Sequence, residues 1–211
     1  MFLSQLILND HARKVRRDLG NAHELHRQIM QAFPDEAEQH TPDAWNPRHE
    51  WNILFRQESE SNKILVQSAV EPNWSKLPKG YLQQENTKSI AYDANNFEPG
   101  KVLQFRLRAN PSKRDKETRK TVGYFKQQDQ LAWLQRQSDR NGFRLHGADI
   151  IPSPNVFGRK KGKSPIRITT ALYQGILEVT DSGAFIQALC QGLGRGKSYG
   201  CGLLSVARYR A

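Results

Sequence analysis

From Gly192 to Val206 the chain reads GLGRGKSYGCGLLSV, with five glycines in the eleven residues that end at Gly202. Glycine enters backbone conformations closed to other residues and lets a second chain come close. A segment this dense in glycine is a folded-back loop, here running into a final apolar strand. Arg195, Lys197 and Ser198 stand among the glycines. Amide N–H groups beside cations make a cradle for phosphate oxygens. The plainer reading, a tight turn between a helix and a strand, leaves the glycine density and the paired cations unexplained. Gly196-Lys197-Ser198 is not a nucleotide-binding P-loop. That motif needs a glycine five positions before Gly196, and Gln191 stands there.

Upstream, β-branched, aromatic and alternating apolar residues predict strands over 2–8, 51–56, 64–70, 102–109, 143–151, 166–179 (broken) and 203–206. Helical spacing predicts helices over 23–33, 127–137 and 182–189. Asn21 is a fair N-cap for the first, and Asp181-Ser182 a good one for the third; the second packs Leu131 and Leu134 on one face. The order is β, α, β, β, a polar stretch to about Gly100, then β, α, β, β, α, β. The expected fold is α+β, two tandem ferredoxin-like (βαββαβ) domains over 1–96 and 97–211, the second carrying the glycine loop 192–202. The first is the poorer copy, for no good second helix precedes Gly100. Residues 34–47 and 72–100 read as loops or short elements.

Charge narrows the partners. The net charge is +11, but residues 1–100 carry 11 Lys and Arg against 14 Asp and Glu, and residues 101–211 carry 21 against 7. Such asymmetry points to a polyanion bound mainly by the second half. Mean hydropathy is −0.74, and the apolar runs fall far short of a membrane span. MFLSQLILND reads as a first strand rather than a secretory leader. Cys190 and Cys201 have neither zinc-finger nor CxxC spacing; they read as free thiols in a reducing cytoplasm.

Three segments carry candidate chemistry. His23 and His26 lie one helical turn apart on one face. They are placed to act as acid and base around one phosphate, since histidine titrates near neutrality. The alternative is a pair of solvated helix residues. The HELH spacing does not fit zinc, and no third ligand is evident. In FRLRANPSKR, Arg106 and Arg108 alternate with apolar residues on a strand, and Lys113 and Arg114 follow in a polar loop. This reads equally as phosphate contact or as a charged edge strand. Arg159, Lys160, Lys161 and Lys163, around Gly158 and Gly162, make a basic hairpin tip that favours nucleic acid. Arg13, Lys14, Arg16 and Arg17 form a smaller patch flanked by Asp10 and Asp18, and Arg27 follows His26. Without a recognisable base-stacking motif, a structured RNA read by shape and phosphates is the expected ligand.

Taken together, MFLSQLIL, RRDLGNAHELHR (16–27), FRLRANPSKR, QLAWLQRQ (130–137) and GLGRGKSYGCGLLSV resemble, in the same order, the CasE-type endoribonucleases that process CRISPR precursor RNA in the Cascade system. The resemblance covers most of the chain. It implies cleavage at the base of a repeat hairpin, no metal or other cofactor, and other Cascade subunits as partners. His26 matches the family's catalytic histidine. His23 stands where a tyrosine is common, and Gln31 where some members have lysine. The basic tip at 159–163 falls where the family inserts a hairpin into the RNA stem. A catalytically silent RNA-binding subunit of the same superfamily, with His26 structural, is the competing reading.

Overall fold

Leu6 and Leu8 on one side of the first strand are buried, and Gln5 beside them is exposed. This period-2 pattern sets the first of two sheets. The computed structural model describes residues 1–34, 51–58, 61–160 and 162–209. They fall in two compact units, one of residues 1–91, 157–166 and 198–200, the other of 92–156, 167–197 and 201–211.

In the first unit, β1 (Phe2–Leu8), α1 (Arg13–Leu19), α2 (Ala22–Met30), β2 (Leu54–Gln57), β3 (Lys63–Ser68) and β4 (Leu82–Ser89) follow one another. The strands form an antiparallel sheet in the order β2-β3-β1-β4. Leu25 and Ile29 of α2 are buried with Leu6, Ile64 and Val66 in one core. Between β3 and β4 the expected absence of a good second helix holds, for the crossover carries only a 3₁₀ turn, Trp74–Lys76. Trp74 fills that place in the core. Its ring meets Phe33 edge-on at 6.1 Å, and its Nε1–H lies 3.1 Å from both Ser4 Oγ and Thr87 Oγ1.

Several expectations need correction. Residues 72–100 are not all loop, for they hold the eight-residue β4. Its sequence LQQENTKS is exposed or half-buried throughout, so no apolar alternation marks it. The helix α1, absent from the sequence reading, has only Val15 and Asp18 buried and no side-chain cap. The helix α2 stops at Met30; Ala32 and Phe33 reach the core from the turn that follows. The strand expected from Trp51 starts at Leu54. Residues 35–47 of the loop expected over 34–47 lie outside the described residues.

The second unit opens with β5 (Val102–Ala109), β6 (Ser112–Arg114), β7 (Thr121–Gly123), α3 (Gln127–Arg140) and β8 (Phe143–Ile151). Next in the chain, β9 (Val156–Gly158) and β10 (Ile166–Ile168) pair as a separate hairpin. The second unit then closes with β11 (Ala171–Val179), α4 (Ser182–Gln191) and β12 (Leu204–Arg208). Its main sheet runs β12-β5-β11-β8, all antiparallel. Counting the four strands of each main sheet in chain order, both sheets have the arrangement 4-1-3-2, read from one edge or the other. Trp133 of α3 stacks on Tyr173 of β11 at 6.3 Å, and Phe97, Phe143 and Phe185 meet edge to face. Leu131, expected on the buried face of α3, is exposed. Gln130 is buried instead, its Nε2 donating to Tyr124 O and its carbonyl accepting the Tyr173 hydroxyl. Asp181 caps α4 by accepting from Ala184 N. No helix among the described residues is long and apolar enough to cross a membrane.

Candidate functional site

The helix α2 is amphipathic, with Leu25, Gln28 and Ile29 inward. That leaves His23 and His26 half-buried along a neighbouring face. Asn21 opens the helix as expected, its Oδ1 accepting from His23 N at 3.2 Å. The same side chain also reaches the basic hairpin. Its Oδ1 accepts from Arg159 N at 2.9 Å, and its Nδ2 donates to Arg159 O at 3.0 Å. The hairpin backbone packs so tightly that a Cβ on Gly158 would lie 3.3 Å from His23 N. The junction borders an open groove of about 530 Å³ lined by Arg17, Asn21, Glu24, Arg27, Arg159 and Gly162. Arg27 pairs with Glu24 at 2.5 Å, and Arg17 with the buried Asp18 at 3.1 Å. Tyr81 also donates to Asp18, at 3.2 Å. Arg16 is occupied locally, its Nη1 donating to the carbonyls of Asp10 and His11. Arg13 lies exposed on α1. Lys160 and Lys163 are exposed at the hairpin tip; Lys161 lies outside the described residues.

All five glycines of the loop take positive φ, from +73° at Gly192 to +95° at Gly202. At three of them space as well as φ demands glycine. A Cβ on Gly194 would lie 2.8 Å from Trp133 Cζ2, one on Gly200 would lie 3.1 Å from the Phe55 ring, and one on Gly202 would lie 2.9 Å from Leu193 O. A 3₁₀ turn, Lys197–Tyr199, sits inside the loop. It brings the Tyr199 ring to 6.4 Å from the His26 ring, tilted by 59°. Ser198 beside it is exposed. Tyr199 belongs to the glycine-rich motif, yet no spacing rule pairs a residue there with one on the histidine helix.

In the second unit the loop closes on β5, with Leu193 N donating to Gly202 O and Gly202 N to Arg108 O. Arg195 makes a bridge with Asn110, and its Nη1 donates to Thr121 Oγ1 at 2.6 Å. Burial pushes the Lys197 ammonium below the usual lysine range. Lys113 and Arg114 are not in a loop but on β6, which pairs with β7. Arg114 Nε donates to Arg119 O, and Lys113 lies 5.9 Å from the Tyr124 ring centre. Arg106 and Arg108 share one face of β5 as expected. Arg108 is no exposed edge residue, however: it is buried, and its Nη2 donates to Pro154 O at 2.6 Å. Arg106 lines a shallow cavity of about 520 Å³ with Gln104, Asp149 and Gln174.

The first unit thus brings together His23, His26, Arg17, Arg27, Arg159 and Ser198, with Asn21 and Tyr199 added by the fold. The second gathers Arg106, Arg108, Lys113, Arg114, Arg195 and Lys197. Among the described residues no three His, Cys, Asp or Glu side chains cluster as metal ligands.

A model of the CRISPR associated protein family matches residues 1–208. The CRISPR-associated endoribonuclease Cse3 of Thermus thermophilus is 35% identical over 219 residues, spanning 98% of this chain and 100% of that protein. The Cascade subunit CasE of Escherichia coli (strain K12) is 32% identical over 218 residues, spanning 98% and 99%. A structure of the CRISPR endoribonuclease Cse3 bound to 19 nt RNA superposes with a TM-score of 0.83 at 35% identity, covering 98% of each chain. Over its full length, in sequence and in fold, this chain belongs to the Cse3/CasE family of CRISPR-associated endoribonucleases.

Proposed function

We propose that this protein is a metal-independent endoribonuclease that binds the hairpin of a CRISPR repeat and cuts precursor RNA at the hairpin base. The observation that carries the reading is the placement of His26, on a helix tied to a basic hairpin and beside Tyr199 of the glycine loop. In the reaction, the 2′-hydroxyl before the scissile phosphate attacks phosphorus in line. Its proton passes to a base, and the departing 5′-oxygen takes a proton from an acid, leaving a 2′,3′-cyclic phosphate and a 5′-hydroxyl. His26 serves as one of these groups, with His23 one turn away as its partner. Arg17, Arg27 and Arg159 around the groove supply positive charge for phosphoryl oxygens. Arg13, Arg16, Lys160, Lys161 and Lys163, close to these in the chain, add contacts, as does Ser198 of the glycine loop. Arg106, Lys113, Arg114, Arg195 and Lys197 hold further phosphates, whereas Arg108 is buried on the Pro154 carbonyl.

The arrangement 4-1-3-2 of each sheet supports two ferredoxin-like domains. A relative named as a Cascade subunit supports membership of that complex; in this reading the protein works in the cytoplasm and stays with its product. The test is cleavage of a repeat hairpin RNA by wild type and His26→Ala in EDTA, with binding measured in parallel. Wild type is expected to cut once at the hairpin base. His26→Ala should bind equally and cut at least about 100-fold more slowly. A wild type that binds and never cuts would make this a silent RNA-binding subunit.

A further inference from the structure

The two bonds from Asn21 to Arg159 go beyond helix capping. Capping needs only one acceptor aimed at an amide of the first turn. Asn21 meets that need through Oδ1 on His23 N. It then accepts from Arg159 N with the same oxygen and donates from Nδ2 to Arg159 O. Both polar groups of one backbone residue are therefore satisfied by one side chain 138 positions away. An asparagine amide suits this, with a donor and an acceptor fixed in one plane. Serine and aspartate cap equally well but lack the donor geometry for both bonds.

Gly158 supplies the other half of the junction. It is buried, and its missing Cβ lets the hairpin approach to where a methyl group would lie 3.3 Å from His23 N and 3.5 Å from Asn21 Oδ1. The Arg159 side chain, exposed and lining the groove, springs from the backbone so held. Two residues after Asn21 comes His23, and five after it His26.

We infer that Asn21 is a positioning residue, which clamps the backbone of Arg159 to the start of the histidine helix and so sets where a phosphate held by Arg159 sits relative to His26. The inference rests on the endoribonuclease reading for its kinetic consequence. The clamp itself is independent of it. The clamp acts through geometry rather than charge, so its loss misplaces the phosphate without removing any cation that binds it. A misplacement of about 1 Å can cost up to about 100-fold in rate.

Asn21→Ser separates the two roles, because serine keeps the cap but is too short to hold Arg159 at both ends. Asn21→Ser, Arg159→Ala and the double variant would be compared with wild type on a repeat hairpin RNA. The readouts are single-turnover cleavage at saturating protein, RNA affinity, thermal midpoint, and hydrogen exchange of the Arg159 amide. Asn21→Ser should keep the thermal midpoint and bind RNA within about threefold, yet cut at least about tenfold more slowly. The Arg159 amide should lose its protection. In the Arg159→Ala background the serine substitution should add little, because both changes act through one contact. An undiminished rate, rate losses that multiply in the double variant, or an amide as protected as in wild type would each overturn the clamp. Wild-type protein that does not cut would instead defeat the functional reading, and loss of amide protection in Asn21→Ser would still uphold the clamp.

Discussion

At Gly194 an alanine meets two costs at once. The backbone stands at φ +74°, and the new Cβ would lie 2.8 Å from Trp133 Cζ2. Trp133 has little room to yield, since its ring is buried and stacked on Tyr173. Gly194→Ala should therefore lose about 2 to 4 kcal/mol, read from urea unfolding. An unchanged midpoint would mean that the indole moves aside freely. Such glycines are legible in a sequence because the backbone demands them whatever surrounds them. The Asn21 cap was legible for the same local reason. Its grip on Arg159 was not, because the partner comes from another part of the chain. Arg108 shows the converse limit. Alternation placed it on the correct face of β5, but only the fold buries it and supplies the carbonyl of Pro154.

Among the elements, those whose apolar pattern does the packing were legible: β1, β5 and β8 run over the residues their alternation predicts. Elements held by their neighbours rather than by their own apolar face were not. The strand β4 is polar and largely exposed, and it exists because β1 pairs with it from Phe2↔Ser89 to Leu8↔Leu82, with one register shift between Ile7 and Leu8. The three-residue β6 and β7 depend on each other in the same way. Where the first unit lacks a second helix, a single tryptophan seals the sheet. Trp74→Ala should cost about 3 to 5 kcal/mol. Trp74→Phe keeps most of the ring and loses the N–H. The Ser4 and Thr87 hydroxyls, 2.8 Å apart, still satisfy each other, so its cost should be nearer about 1 kcal/mol. Chemical unfolding of both variants checks the difference. Equal losses would show that the hydrogen bonds, and not the volume, make Trp74 indispensable.

Over the whole molecule, the charge asymmetry of the sequence foretold a basic second half but said nothing of which ionisable groups the fold holds neutral. Those are the thiols and phenols of both cores. Burial raises Tyr92 and Tyr173 above the usual tyrosine range. Burial raises Tyr81 in the same way, with the Asp18 carboxylate adding to it. Burial also raises the Cys190 thiol and pushes Cys201 up to about 11 from an ordinary 9.0. Each group favours the folded state while the unfolded chain is also protonated, so the full contribution is present below about pH 8.5. As pH rises through the ordinary thiol and phenol values, the unfolded chain releases protons that the folded chain retains, and stability falls. Cys201 alone should account for a loss of about 1 kcal/mol by about pH 10. Lys197 works in the opposite direction. Its folded value is lowered by burial, so deprotonation relieves a burden and adds stability as pH rises. Five groups (Tyr81, Tyr92, Tyr173, Cys190 and Cys201) pull one way against one. The urea midpoint should therefore drop steadily from about pH 8 to about pH 10.5. A flat or rising midpoint over that range would mean that water reaches these thiols and phenols in the folded protein, and that neither core is as closed as its packing implies.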